Sequence, residues 1–177
     1  MKPFIGIKRI WYGDVLATEP TIKTLSTVIQ SMTEVTNSHD GTWSYEQDDP
    51  DTTDYKNELT GQTYYTDKTS DGAHNINFTM GVYEFEDKAT LQGGEVIKDN
   101  AKTVGWKSKT SNDLVKKCIV AQTKVGHYIV FTNATIIAKA DTQEKNIGLG
   151  VKAIAQENDN AGVASEYWFD GDAVTVD

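Results

Sequence analysis

Residues 73–94 read AHNINFTMGVYEFEDKATLQGG, and this stretch decides the fold. Its first half alternates without a slip: Ile76, Phe78, Met80 and Val82 on one side, Asn75, Asn77, Thr79 and Gly81 on the other. A period of two over that length predicts a strand with one buried face. The alternation then stops. Glu84, Glu86 and Asp87 suit the first turn of a helix, where the macrodipole favours negative charge. Gly93-Gly94 is a strong stop. The stretch therefore predicts a long strand feeding a short helix that plugs an open end or side of a sheet. Phe85, Ala89 and Gln92 would share one face of that helix.

Outward from this stretch, the chain continues to read as strands. Phe4–Tyr12 is rich in β-branched and aromatic residues and predicts a first strand. Val15–Met32 is open between a helix, with Ile22, Leu25, Ile29 and Met32 at helical spacing, and irregular structure. Gly41–Gln47 alternates, with Trp43 and Tyr45 on one side. Residues 48–72 form the longest polar segment, expected as a long loop. Its aromatic residues, Tyr55, Tyr64 and Tyr65, are too many for a disordered linker, so it is expected to pack on its own surface or on a neighbour. Residues 95–113 predict a loop around a short extended piece. Leu114–Lys124 and His127–Ala138 predict a hairpin turned at Val125-Gly126, followed by a turn at Asp141–Asn146. Ile147–Gln156 adds a strand whose Gly148 and Gly150 imply close backbone approach, and Val163–Phe169 is the last strand, before a short acidic tail. No βαβ alternation occurs, so the pairing is antiparallel. The fold class expected for residues 1–177 is one mainly β domain: an antiparallel β-sandwich or partly open barrel with one short flanking α-helix.

Composition narrows the function. The chain has 177 residues, 26 Asp and Glu against 17 Lys and Arg, and a formal net charge of -9. That balance excludes broad binding of nucleic acid, which needs cations to neutralise phosphates. It allows a protein that lets nucleic acid pass. The single cysteine, Cys118, excludes an internal disulfide and lies in an apolar run, KKCIVAQ, as a buried small hydrophobe would. The start lacks the continuous apolar core of a signal peptide, and no run is long enough for a membrane-spanning helix. A soluble intracellular product, or a part of something assembled inside a cell, is expected.

The residues offer little chemistry. There is no nucleophile elbow, P-loop, HExxH or CxxC. His39, His74 and His127 have no metal-ligand spacing. Asp48, Asp49, Asp51 and Asp54 resemble a calcium loop only in charge. Trp11, Trp43, Trp106 and Trp168 read as core or interface residues before they read as a ligand pocket. No catalytic residue, cofactor or metal is expected.

The runs WSYEQDDPDTTDYKNELTGQTYY, INFTMGVYEFEDKATLQGG, CIVAQTKVGHYIVFTNATIIAKADTQEKNIGLGVKAIA and GVASEYWF, from about Trp43 to Phe169, resemble tail tube (major tail) proteins of tailed bacteriophages, especially those of Bacteroides-type gut bacteria. The likeness lies in overall pattern rather than in a short diagnostic motif. It implies subunits that form rings, usually hexameric, stacked into a hollow tube that conducts DNA. Tube proteins of contractile injection and type VI secretion systems share that fold. The inner wall would be a continuous barrel built from all subunits, and long loops would join ring to ring. Implied partners are other copies of the chain, the tape measure, the tail terminator, and the baseplate or tail tip. DNA would pass without specific binding and no membrane would be involved. The implied location is the virion tail, assembled in the bacterial cytoplasm. The contact residues expected on this chain are Ile10, Trp11 and Tyr12 of the first strand and Tyr55, Leu59, Tyr64 and Tyr65 of the long loop. A monomeric β-barrel that binds a small ligand or glycan, with the tryptophans lining its pocket, is the alternative.

Overall fold

The structure is a computed structural model that describes residues 2–174; the end of the acidic tail lies outside the described residues. Its centre is one antiparallel sheet. The strands in it are β1 (Arg9–Gly13), β2 (Thr33–Glu34), β3 (Ser44–Gln47), β6 (His74–Met80), β9 (Val115–Gln122), β10 (Tyr128–Gln143), β11 (Asn146–Ala155) and β12 (Glu166–Phe169). They lie in the order β2-β1-β9-β10-β11-β6-β3, with β12 paired to β10. The fold is mainly β and antiparallel, as the sequence predicts, and the barrel stays open.

The strand predicted from residues 73–94 is β6; its buried face is as expected as far as Met80, but Val82 lies beyond the strand and is exposed, and Asn75 and Thr79 on the face expected to be wet are buried. Ile76, Phe78 and Met80 join Ile10, Tyr12, Ile119, Ile129, Phe131, Leu149 and Val151 in one core. These residues come from strands far apart in the ladder order, so the sheet must curl around them. The predicted helix is α2 (Phe85–Gln92), and its start is fixed by the Asp87 carboxylate, which accepts the Glu84 N–H at 3.1 Å. The face differs from expectation. Phe85 is exposed, and Leu91 is the residue α2 drives into the core. Packing against β9 and β10 selects that face, because Leu91 brings the larger aliphatic side chain of the final turn.

On the other side of β1, β9 and the first half of β10, a second core forms from Trp11, Cys118, Val120, Tyr128 and Val130. It is covered by Leu25 and Ile29 of α1 (Leu25–Gln30), and by Leu16, Met32 and Val174. The helical option within residues 15–32 is thus realised only over its last third. β10 is buried on both faces along its first half, as a central strand requires. At Thr132-Asn133 it bulges. Before the bulge its one neighbour is β12; after it that neighbour is β11. Both side chains of the bulge donate to backbone carbonyls, while the buried Asn133 Oδ1 accepts no hydrogen bond among the described residues. The Thr132 hydroxyl donates to the Ala164 carbonyl at 2.6 Å, and the Asn133 side chain donates to the Glu157 carbonyl at 2.7 Å.

Two segments expected as loops are hairpins. Residues 48–72 contain β4 (Thr52–Lys56) paired with β5 (Thr63–Lys68). Residues 95–113 contain β7 (Glu95–Asp99) paired with β8 (Lys102–Lys107). The turn of β7–β8 uses Asn100 and Ala101, both with positive φ, and that of β10–β11 uses Glu144 and Lys145 in the same way. Both are two-residue turns whose twist matches the strands. The Asp141–Asn146 turn therefore shrinks to Glu144 and Lys145, and β10 runs on to Gln143. Gly148 behaves as its spacing requires: a Cβ there would lie 2.8 Å from the Met80 carbonyl oxygen.

Candidate assembly surfaces

The expected contact residues fall into two groups with opposite fates. Ile10, Trp11 and Tyr12 are buried, at 2–4% exposure. They offer nothing to a neighbour, because β1 is an inner strand with a core on each side. Trp11 also carries the Arg9 guanidinium 4.7 Å above its ring, and Tyr12 donates its phenol proton to Asp87 at 2.5 Å. The other four residues are on the surface. Leu59 is 95% exposed, Tyr64 70%, Tyr65 58% and Tyr55 45%. The hairpin β4–β5 thus stands out as an arm, and of the two packings expected for it, the one onto the chain's own surface does not occur. Every residue of β4 is exposed, and every residue of β5 except Asp67.

The arm is nonetheless ordered by local bonds. Tyr55 and Tyr65 face each other across its strands with ring centroids 5.9 Å apart. At its apex, the Asn57 carboxamide accepts the Leu59 N–H at 2.9 Å, and the Gly61 N–H donates to the Asn57 carbonyl at 2.7 Å. A lone two-stranded hairpin is marginal in water, and this one leaves an apolar tip at Leu59 and its tyrosines exposed. Residues 48–72 also hold seven of the chain's acidic residues against Lys56 and Lys68. The acidity read from composition is therefore concentrated in the arm.

A second surface lies on the sheet itself. Beyond the cover of α1, the outer face of β10, β11, β6 and β3 is only partly open: Lys152 and Ile137 are exposed, whereas Thr135, Asn75 and Thr79 are buried. Its residues form rows by register: Ile137, Lys152, Asn77 and Ser44 in one, and Thr135, Ile154, Asn75 and Glu46 in the next. Asp141 accepts hydrogen bonds from Thr79 at 2.6 Å and from Gln143 at 2.9 Å, which hold its carboxyl below the usual carboxylate range. The charges on this face balance: Lys139 and Lys152 against Glu46 and Asp141. The ladders at its two sides are open. Among the described residues, β3 has no partner beyond β6, and residues 137–143 of β10 have none on the side where β9 has ended.

The mouth of the curled sheet is closed by side chains rather than by a ladder. The Glu166 carboxylate, with its side chain 11% exposed, accepts the Tyr45 hydroxyl at 2.9 Å and short bonds from His74 Nδ1 and Trp168 Nε1. Burial, and then the Glu166 bond, raise the Tyr45 phenol above its usual range. His127 is buried elsewhere; it donates from Nε2 to the Lys2 carbonyl and accepts the Gly171 N–H at Nδ1, tying the two ends of the chain. His39 lies apart from both, in a groove wall with Trp43. Among the described residues, no group of three His, Cys, Asp or Glu side chains is placed to hold a metal ion. The tryptophans are dispersed: Trp11 in the core, Trp43 and Trp106 in separate grooves, and Trp168 at the mouth. Cys118 is fully buried, and burial pushes its thiol up.

The outer face was legible in part. The alternation of residues 75–80 and 147–156 marks a wet side, but only register shows that the wet sides are contiguous. The open edge of β10 carried no signal in its own residues; it exists because β9 is shorter. Among known proteins, no family model matches the chain, and neither does any curated protein.

Proposed function

We propose that the chain is a structural subunit of a phage tail tube, one that self-assembles into stacked rings. The observation that carries this reading is the four-stranded unit β10-β11-β6-β3, whose polar face is partly open and whose lateral edges are unpaired, among the described residues, along β3 and along residues 137–143 of β10. Open edges invite pairing with another chain. In this unit β3 runs antiparallel to β10, so β3 of one copy can continue the ladder along residues 137–143 of the next without reversing the pattern. Repeating that step closes a ring. Six copies at about 4.8 Å per strand give a barrel about 37 Å across its backbone, and side chains reduce the channel to roughly 27 Å. The polar face would line it.

The chemistry of that face suits a conduit. Its charges cancel, and the residues between them are uncharged, Ser44, Asn77, Ile137 and Ile154 among them. Phosphate would meet no net cationic surface to hold it. Weak adhesion would then come from balance rather than from the negative lumen that overall composition brings to mind. The arm leaves the sheet between Gln47 and His74, at the end opposite the β10–β11 turn. Contacts made by one end of a subunit with the other end of the next are heterologous, and they stack rather than close. Partners in this reading are further copies, the tape measure, the terminator and the tail tip, with DNA passing through and no catalysis or cofactor. The binding-module alternative needs an apolar cavity, whereas the inner core is filled by Phe78, Phe131, Ile76, Met80 and Leu149.

Negative-stain electron microscopy of the purified chain across a concentration series tests the proposal. Rings or tubes with a central hole are expected. Uniform particles of monomer size at the highest concentration, also after addition of a tail-tip complex as initiator, would overturn it.

A further inference from the structure

We infer that His127 is an acid-sensitive pin for the segment that follows β12: neutral, it holds that segment down so that Val174 closes the second core, and protonated, it lets the segment go. This inference stands apart from the tube reading. His127, just before β10, is 1% exposed, yet both of its ring nitrogens are used. A carbonyl can only accept, so the 2.9 Å bond to the Lys2 carbonyl places a hydrogen on Nε2. A backbone N–H can only donate, so the 3.0 Å bond from Gly171 needs a lone pair on Nδ1. Together the two bonds require the neutral ring in one tautomer. Shortly beyond Gly171, Val174 is 9% exposed and packs in the second core with Trp11, Tyr128 and Val130.

A proton on Nδ1 would point at the Gly171 N–H. The Gly171 backbone has no room to slide towards the β9–β10 turn, because a Cβ on it would collide with the Gly126 carbonyl. The charges around the ring decide what replaces the bond. Asp170 Oδ1 lies 3.2 Å from Nδ1 and is the acceptor at hand for the new proton. Lys2 and Asp172 form an exposed ion pair at 2.8 Å beside it, and Lys124 adds an exposed cation on the β9–β10 turn. Phe4 lies against the ring, with centroids 4.6 Å apart, and brings no charge. Protonated His127 therefore exchanges Gly171 for Asp170 and keeps its bond to Lys2. In the neutral state Asp170 organises the turn that delivers Val174: its carboxylate accepts the Asp172 N–H and its carbonyl the Ala173 N–H, both at 3.0 Å. A charge-assisted bond to the imidazolium draws that carboxylate away from Asp172, so the turn opens.

The test is amide hydrogen exchange, read residue by residue by NMR on the full chain from about pH 7.5 to about pH 5.5. After correction for the intrinsic pH dependence, Gly171 and Ala173 should exchange about tenfold faster, or more, at the acid end. The Lys124 amide, which donates to the Ile5 carbonyl at 3.0 Å, should keep its protection, because the bond to Lys2 survives. Loss of protection at Lys124 together with Gly171 would mean general loosening in acid and would overturn the inference. In His127→Gln, which takes up no proton in this range, Gly171 and Ala173 should lose their pH dependence. Asp170→Asn removes the anion that receives the imidazolium and should move the transition to lower pH by about one unit; an unmoved transition would overturn the exchange of partners. His74→Gln should leave the transition in place. Its disappearance there, its persistence in His127→Gln, or constant protection of Gly171 down to about pH 5.5 would each overturn the pin.

Discussion

Removing residues 50–70 excises the arm and leaves a defined junction. The Asp48 N–H already donates to the Ala73 carbonyl at 2.9 Å, and Gln47 pairs with His74 below it. The deletion joins Asp49 to Asp71, so β3 and β6 are linked by Asp-Asp-Gly, a three-residue hairpin loop. Gly72 already has φ +73, the left-handed conformation such a loop needs at its last position. No buried contact is lost, because the strands of the arm are exposed nearly throughout. The connection shortens from 24 residues to three, which lowers the closure entropy by up to about 1.8 kcal/mol. The lost cross-strand contacts of Tyr55 and Tyr65 act in the other direction by about 0.5 kcal/mol. The variant should therefore unfold in urea with a stability equal to the parent or up to about 1.3 kcal/mol higher. Assembly should vanish, as read by microscopy and sedimentation. A loss of more than about 2 kcal/mol would show that the arm packs on its own chain. Tubes built by the deletion variant would refute the role of the arm altogether.

Other outcomes follow from single side chains. Tyr12→Phe removes the bond to Asp87 at the start of α2 and should cost about 1–2 kcal/mol in urea titration, with the fold retained. Burial first, then Asp87, raises the Tyr12 phenol, and burial likewise raises Tyr45. Both raised values mean that the native state holds its phenol protons more tightly than the unfolded chain. Their stabilising effect is complete below about pH 10 and declines as pH rises beyond it; the unfolding midpoint should fall there, less steeply in Tyr12→Phe. Glu166→Ala leaves Tyr45, His74 and Trp168 without their common acceptor and should cost about 2–3 kcal/mol, with a change in Trp168 fluorescence. Unchanged stability would show that the mouth is held by ring packing alone. Cys118 should resist a thiol reagent until the chain unfolds, so its labelling rate should follow global opening; rapid labelling of the native chain would contradict its placement in the second core.

The sequence announces the strands that have one wet face and conceals those that have none or two. β6 and β11 alternate, and their positions are readable to within a residue or two. The arm is different. TTDYK and TYYTDK are rich in Thr and Tyr, which favour strands, and Gly61 sits in a turn between them. Both faces are wet, so the alternation that marks a half-buried strand is missing. β7 and β8 were obscured in the same way, and the lysines that flank Val96, Ile97 and Val104 hid the pairing. Ile10, Trp11 and Tyr12 erred in the opposite sense. Three large apolar residues in a row suggest a sticky surface when read alone, but a strand with a core on each side needs that very run. Leu59, Tyr64 and Tyr65 were identifiable as exposed because nothing around them in sequence supplies a second apolar face.

The bulge at Thr132-Asn133 has a mechanical consequence. β10 is a single beam shared by two structures: its first half is clamped between helix-covered layers, and its second half is the outermost rail of the partly open sheet. Any strain on the rail, from bending of an assembly or from cargo moving past it, enters the clamped half through one covalent backbone and no hinge. The hydroxyl and carboxamide that fill the bulge lock the joint against the segments near Glu157 and Ala164. Amide protons of residues 128–131 should accordingly be the slowest in the chain to exchange, and should slow further when the distant rail gains a neighbour.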